Sequence, residues 1–286
     1  MNRTSLSIVI PAKNEAEGLS SVLPSLRDAY PDAELIVVND GSSDDTAAVA
    51  NAAGAQVVSH PYSKGNGAAI KSGARAASGE IILFMDGDGQ HRTEDIAALL
   101  EKLREGYDLV VGARQGRADQ ASVARWGANG VYNVFASWMV GHPIEDLTSG
   151  MRAVNREKFL SFLYLLPNGF SYPTTSTMAF YRAGYSVAFV PITTRQRVGK
   201  SHINVWRDGI RFLLIIFKIG TLYSPLKLFV PIASGIFASG LGYYAYTFFG
   251  FGRFTNMSLL LFVSAVIVFL IGLISEQISN LMYRRD

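Results

Sequence analysis

The chain has 286 residues, room for one α/β domain of ordinary size and something more. A formal net charge of +3, with no run of five or six basic residues, argues against nucleic acid as a partner. Cysteine is missing, which excludes disulfides and thiolate metal sites but fixes no compartment.

Leu6 to Ile10 alternates like a strand and is too short for the apolar stretch of a signal peptide, so the first domain is expected to stay in the cytosol. A helix follows over 17–29, a strand over 34–40, a helix over 44–53 that opens on capping residues, and a strand over 55–60. A helix of small residues over 67–77, a strand over 80–86, a helix over 93–106 and a strand over 108–114 complete the series. Such alternation implies a mostly parallel sheet covered on both faces, with ligands bound beyond the carboxyl ends of the strands. Polar residues gather at those ends. Pro11 to Glu15 follows the first strand, Asn39 and Asp40 the second, Asp86 and Asp88 the fourth, and Arg114 closes the fifth. Any one of these reads equally well as a capped turn, but agreement among four strand ends points to a site.

MDGDGQH, residues 85–91, sets two carboxylates one residue apart directly after an apolar strand. Like charges this close call for a cation between them. Mg²⁺ and Mn²⁺ take oxygen ligands of this kind, usually beside substrate phosphates. Gly87 and Gly89 let the backbone approach a ligand, and Gln90 and His91 add polar groups. A solvated turn is the alternative. Lys64-Gly65-Asn66-Gly67 opens a helix as a phosphate loop would, but lacks both the Lys-Ser/Thr ending and the third glycine of a dinucleotide fingerprint.

The C-terminal third changes character. Leu228 to Gly252 carries no charge over 25 positions and Phe254 to Ser275 none over 22. At about 1.5 Å per residue, each crosses a hydrocarbon core of about 30 Å. The short link from Gly250 to Asn256 makes them a hairpin, and Pro231 is tolerable in a membrane helix. Lys218 and Lys227 precede the first span, Arg284 and Arg285 follow the second, and Arg253 alone lies between. The positive-inside rule then places both termini in the cytosol. Tyr243, Tyr244, Tyr246, Phe248 and Phe249 suit an aromatic belt at the far interface. In 204–223, Arg207, Arg211 and Lys218 share one helical face, which suits a helix lying in the membrane interface or an ordinary helix packed on the soluble domain.

VVNDGSSDDT (37–46), SKGNGAAIKSG (63–73), MDGDGQH (85–91), VVGAR (110–114) and DLTSGMRAVNRE (146–157) together resemble glycosyltransferase family 2. With the two spans and RQRVGKSH (195–202), the chain is similar to the polyprenyl-phosphate glycosyltransferases of that family. The resemblance implies a GT-A-like, Rossmann-like domain over 1–203, a juxtamembrane interfacial helix over 204–224, and a transmembrane hairpin over 225–286 with spans near 228–250 and 256–278. It implies an integral protein of a bacterial or archaeal plasma membrane. The partners would be a UDP- or GDP-hexose donor, an undecaprenyl or dolichyl phosphate acceptor and the bilayer, with self-association left open.

Roles follow by position from the same resemblance. Pro11, Lys13, Glu15, Val38 and Asp40 would hold the donor, the Lys64–Gly67 loop is read from its own residues as a wall of the donor pocket, and Asp86, Gly87, Asp88 and Gln90 would surround the diphosphate. Asp86, Asp88 and Gln90 would take Mg²⁺ or Mn²⁺. Asp88, Asp146 and Arg114 would be catalytic, with Thr148, Ser149, Gly150 and Arg152 lining the sugar and acceptor region. Arg197, Lys200, Ser201 and His202 would bind the acceptor phosphate. Relatives often carry lysine at the position of His202, and alanine at that of Gly87. Two other readings are a processive polysaccharide synthase and a silent membrane-anchored scaffold. Against the first, Gln120 stands at the wrong spacing before Arg125-Trp126 for a Gln-x-x-Arg-Trp signature. Against the second, a scaffold has no need of the acidic rim.

Overall fold

The computed structural model of the chain describes residues 5–114, 123–169, 172–193, 217 and 220–283. Two compact units divide it, 1–203 and 204–286. The first begins with β1 (Leu6–Ala12), α1 (Ala16–Ala29), β2 (Glu34–Asn39), α2 (Thr46–Ala52), β3 (Gln56–Ser59), α3 (Asn66–Ala76), β4 (Ile81–Phe84), α4 (Asp95–Arg104) and β5 (Leu109–Arg114). Each lies where the alternation expects it, with ends differing by no more than two residues. Then come α5 (Val123–Val140), β6 (Arg152–Asn155), α6 (Arg156–Leu160), α7 (Tyr172–Arg182) and β7 (Val187–Ile192), for which the sequence reading assigns no elements. The short ones, β6 and α6, span too few residues to show a period.

The seven strands form one sheet in the order β3-β2-β1-β4-β6-β5-β7. All neighbours are parallel except β6, which runs against both β4 and β5. The chain therefore steps outward from β1 to β3 and returns to lay β4 on the other side of β1. That reversal opens a crevice at the carboxyl ends of β1 and β4. Leu19, Val22, Leu23 and Leu26 of α1 recur at one helical face and bury against Ile8, Ile10, Leu35 and Val37 of the sheet. Burying each such leucine contributes about 1.5–3 kcal/mol. The small residues of α3 have a packing reason. A Cβ on Gly73 would fall 2.3 Å from Val9 Cγ1, so the helix lies close against the sheet.

The second unit holds α8 (Pro225–Phe251) and α9 (Asn256–Tyr283). Among the described residues, both are long and apolar enough to cross a membrane. The interfacial helix expected over 204–224 falls largely outside the described residues. Small residues repeat every seven positions along the contact: Ala233, Gly240 and Thr247 on α8, and Ser258, Ala265, Gly272 and Ser279 on α9, all buried. A period of seven keeps one seam facing its partner along two long helices, and small side chains let the backbones approach. Large residues such as Leu241, Phe249, Leu260 and Ile274 are exposed, as lipid-facing side chains are. Gly252 ends α8 at φ +65°, with its N–H donating to Phe248 O (2.8 Å). Thr255 Oγ1 accepts from Ser258 N–H (3.3 Å) at the start of α9. At the other end Glu276 accepts from Leu226 N–H (3.3 Å), placing a carboxylate at the positive end of α8.

A Cβ on Gly272 would meet Phe229 Cβ at 2.7 Å, whereas one on Gly235 would meet nothing within 4 Å. Gly272→Leu is therefore expected to overpack the seam and destabilise the hairpin by about 1–3 kcal/mol. Gly235→Leu should leave thermal unfolding of the full chain in detergent near wild type. Equal melting of both variants would dissociate the seam from hairpin stability.

Candidate active site

The sheet topology builds the site. Parallel β1, β2 and β4 end together, bringing Pro11–Lys13, Asp40 and Asp86 to one rim. Because β6 is antiparallel, its first residue, Arg152, pairs with Phe84 and Val111 near the carboxyl ends of β4 and β5. The segment leading into β6, Asp146 to Met151, is thus delivered to the rim that already holds Asp86 and Arg114.

Two loops interlock at the β1–β2 side. Asn14 adopts φ +56°, a conformation that asparagine tolerates better than most residues, and its side-chain oxygen accepts from Ser43 N–H (2.8 Å). Ser42 Oγ accepts from Asn14 N–H (3.0 Å), and Thr46 Oγ1 from Glu15 N–H (3.1 Å). The DGSSDDT segment therefore sets the course of Lys13–Glu15. Asp40 is buried and accepts four hydrogen bonds, from His60 Nδ1 (2.7 Å), Lys64 N–H (2.8 Å), Ser63 Oγ (2.8 Å) and Gly65 N–H (2.9 Å). Burial pushes its pKa up, but these donors outweigh burial and bring it down to about 2.

Pro11, Lys13, Glu15, Asp40, Asp86, Gly87 and Asp88 line one pocket of about 280 Å³, together with Ala12, Ser63, Gly65, Asn66 and Ala69. The Asp86–Asp88 turn is held from two sides by close backbone approach. A Cβ on Gly18 of α1 would fall 2.3 Å from Gly87 O, and one on Gly150 would fall 2.3 Å from Asp86 Oδ2. Asp88 Oδ1 accepts from Gln90 N–H (3.1 Å). His91 Nε2 stands 3.4 Å from Asp86 Oδ2, and its ring is buried. Desolvation raises the Asp86 pKa, and the neighbouring His91, Arg114 and Arg152 more than offset that, so the carboxyl stays below its ordinary value.

Among the described residues, no cluster of three or more His, Cys, Asp or Glu side chains could hold a metal by itself. The donor set at Asp86 and Asp88 is two carboxylates facing an open pocket. That fits a hard divalent cation whose remaining ligands come from water and substrate phosphate.

On the β5 side Asp146 is nearly fully buried and ties to Arg114 in a bidentate pair, Nε to Oδ2 (2.7 Å) and Nη2 to Oδ1 (2.9 Å). Arg114 Nη2 also donates to Thr148 Oγ1 (2.6 Å), and Thr148 N–H donates to Asp146 Oδ1 (3.0 Å). Burial raises the Asp146 pKa, and Arg114 lowers it by more, leaving it depressed. Asn133 of α5 fixes this loop, donating to Glu145 O (2.6 Å) and accepting from Leu147 N–H (3.1 Å). Arg152 is fully buried and serves the scaffold. Its guanidinium donates to Ser149 O (2.5 Å), Pro173 O (2.8 Å) and Ser176 Oγ (2.8 Å) and lies over the Tyr172 ring. Burial pulls its pKa below the usual guanidinium range. Tyr172 Oη donates to Gly150 O (3.2 Å), and the buried Ser149 hydroxyl has no partner among the described residues.

Among the expected residues, Val38 is fully buried in β2 and does not line the pocket. Lys64 acts through its backbone N–H on Asp40, while its ammonium lies 5.8 Å from the Tyr62 ring centre. Arg114, Asp146, Thr148, Ser149, Gly150 and Arg152 form a second group that meets the first where Gly150 touches Asp86. Arg197, Lys200, Ser201 and His202 lie outside the described residues. The sequence reading does not single out His60, Ser63 or Gly18. His60 stands just past β3, where the strand-end rule would have found it; Gly18 carries no signal in one sequence.

Residues 7–162 match the family described as glycosyl transferase family 2, and residues 224–281 match the GtrB C-terminal hairpin. The glycosyltransferase AglJ of Haloferax volcanii is 31% identical over 240 residues, covering 82% of this chain and 78% of that one. A dolichyl-phosphate hexose transferase of the same organism is 28% identical over 216 residues, covering 75% and 93%. Among solved structures, glucosyl-3-phosphoglycerate synthase from Mycobacterium tuberculosis, in complex with Mn²⁺ and UDP-glucose, superposes with a TM-score of 0.59. It is 27% identical, over 74% of this chain and 79% of that one.

Removing one partner of a buried ion pair leaves the other charge uncompensated. Arg114→Met is expected to destabilise the chain by about 3 kcal/mol at neutral pH. The sign with pH follows from Asp146. In wild type its depressed pKa contributes stability that is present above about pH 3.9 and lost as pH falls through the folded value. Without Arg114, burial raises that pKa, so protonation on acidification relieves the variant. The gap between wild-type and variant melting temperatures should narrow from pH 7 towards pH 4. A gap that is constant with pH would mean that Arg114 acts by packing alone.

Proposed function

The chain belongs to glycosyl transferase family 2, and from that premise we propose that it moves one hexose from a nucleotide-sugar donor to a polyprenyl phosphate at the cytosolic face of a membrane. The observation that carries the reading is the union, in one chain, of a family 2 catalytic unit and a hairpin of two membrane-length helices. A transferase with a water-soluble acceptor has no use for such a hairpin, whereas a lipid acceptor must be met at the bilayer. The dolichyl-phosphate hexose transferase among its relatives supports the same acceptor class. The charge pattern of Lys218, Lys227, Arg284 and Arg285 supports cytosolic termini.

Pro11, Lys13 and Glu15 take the nucleotide end of the donor, and Asp86 and Asp88, with Gln90 beside them, take the diphosphate end. Mg²⁺ or Mn²⁺ held there would neutralise charge on the departing diphosphate; the Mn²⁺–UDP-glucose complex of the solved relative supports this. Arg114 is engaged with Asp146 and Thr148, so it positions the loop and contributes positive potential at the rim. Asp146 is saturated by the same contacts and orients rather than accepts a proton. A phosphate monoester has a second pKa of about 6, so the acceptor is largely a dianion at neutral pH and needs little help from a base. Its oxygen attacks the anomeric carbon, the bond to the nucleoside diphosphate breaks, and the configuration inverts. Gathering two anionic substrates calls for cations, a role that suits Arg197 and Lys200, with Ser201 and His202 beside them.

The test is transfer by the full chain in detergent with Mn²⁺ or Mg²⁺, a polyprenyl phosphate and, in turn, labelled UDP-glucose, UDP-galactose, UDP-GlcNAc and GDP-mannose. Label should enter the organic phase with one donor and stop with EDTA. Asp88→Asn should lower turnover by about 100-fold or more. Unchanged turnover in that variant at saturating metal would remove Asp88 from the mechanism. Nucleotide binding with no transfer from any donor would count against the acceptor.

Gly150→Ala must displace the Asp86 carboxylate, and a misplacement of that order lowers activity by about 100-fold. Gly87→Ala, whose Cβ would meet Ile10 Cγ2 at 3.3 Å, needs only slight adjustment and should stay within a few-fold of wild type. The reverse ranking would show that Asp86 has freedom the close packing denies it.

A further inference from the structure

The transfer scheme above uses both aspartates of the MDGDGQH turn and leaves its histidine idle. Gly89, at φ +72°, takes a left-handed conformation that suits glycine, and the chain turns back there. His91 then lies against Asp86, five residues earlier in the sequence. Its side chain is 5% exposed, and Nε2 stands 3.4 Å from Asp86 Oδ2. A carboxylate only accepts, so Nε2 carries the hydrogen in this contact. Nδ1 is buried and has no partner among the described residues, which leaves Asp86 as the hydrogen-bonding partner of the ring there.

The place of His91 sets it apart from the residues that would hold a metal. Asp86, Gly87 and Asp88 line the donor pocket, whereas Gly89 and His91 line a different cavity, of about 630 Å³, between α1 and the start of α4. Among the described residues, His91 joins Asp86 and Asp88 in no group of three that could hold a metal ion. It is, among the same residues, the one hydrogen-bond donor that Asp86 meets. Both restraints on the carboxylate bear on one oxygen. A Cβ on Gly150 would fall 2.3 Å from Oδ2 and 2.8 Å from Oδ1, so the closest approach is to Oδ2, the atom that His91 also addresses. Carboxylates that hold a metal are themselves held by hydrogen bonds, and losing such an outer partner costs about ten- to hundredfold in metal affinity or activity.

We propose that His91 is a positioning residue for the divalent cation: it holds Asp86 Oδ2 from outside the donor pocket and leaves Oδ1 as the oxygen offered to the metal. The inference rests on the metal reading of the Asp86–Asp88 turn above. It separates His91 from a direct ligand, a role that the sequence run Gln90-His91 suggests equally well.

The test is Mn²⁺ binding to the full chain in detergent, followed by loss of the free-ion EPR signal. UDP or GDP is present, whichever wild type binds more tightly, and the same nucleotide is titrated without metal by calorimetry. His91→Phe keeps a ring, and His91→Met supplies an apolar chain that adapts to the space; both lose the donor, and either serves if the other does not fold. Each should weaken Mn²⁺ by about tenfold or more and leave metal-free nucleotide affinity within about twofold. His91→Gln, whose amide can donate from a position near that of Nε2, should recover most of the loss. Pulsed EPR of the wild-type Mn²⁺–nucleotide complex should show no directly bound imidazole nitrogen. Wild-type Mn²⁺ affinity in His91→Phe or His91→Met would overturn the inference alone, as would an imidazole nitrogen on the metal. Equal losses in His91→Gln would reduce His91 to packing and overturn it too, and so would a parallel loss of metal-free nucleotide binding. Wild type that binds nucleotide but takes up no Mn²⁺ would overturn the metal reading and this inference with it.

Discussion

Four aspartates must share one rim of this sheet without driving it apart, and the way each is compensated decides what the rim can do. Asp40 is satisfied by His60, Ser63 and two backbone amides. Asp146 is satisfied by the fork of Arg114 and by Thr148. Both are buried, and burial makes such internal partners obligatory, because an ionised carboxylate without them would be too costly to keep. Asp86 and Asp88 belong to the turn that lines the pocket, and the Asp86 side chain is 42% exposed. Asp146 is tied into the scaffold, and the Asp86–Asp88 turn presents two carboxylates to the pocket.

That division depends on one antiparallel strand. Were β6 parallel to its neighbours, the segment before it would emerge at the opposite edge of the sheet. Reversed, β6 delivers Asp146 to Met151 to the ends of β4 and β5, where Asp146 meets Arg114 and Gly150 packs on Asp86. Arg152 locks the arrangement from within. Its buried guanidinium ties the Ser149 carbonyl to α7, so the loop cannot move without stranding a charge. The Asp86–Asp88 turn lies between Gly18 and Gly150, two positions at which any side chain would collide. Tight clearance of this kind provides the fixed electrostatic environment that group transfer requires.

The hairpin answers a different constraint. In lipid no hydrophobic force drives two apolar helices together, so their association rests on close contact. Small residues at a seven-residue period supply that contact along both helices, while bulky apolar residues cover the faces turned away. Membership of family 2 and the hairpin together make an acceptor carried by the membrane the natural complement of a water-soluble donor.

Much of this was legible in the sequence. Strands such as Leu6–Ile10 and Glu34–Asp40 announce themselves through apolar runs that end on polar residues, and the parallel sheet follows from their alternation with helices. The strand-end rule marks Pro11–Glu15, Asp40, Asp86, Asp88 and Arg114, and the uncharged stretches mark the hairpin, because both signals are local. The tertiary structure alone decided how each acid is compensated, since that depends on donors such as His60, Gly65 and Arg114 that lie 20, 25 and 32 residues from the carboxylates they serve. It also decided the direction of β6, four residues with no period of their own, and gave Gly18 and Gly150 their meaning. A glycine that admits a neighbouring chain looks, in the sequence, like any other.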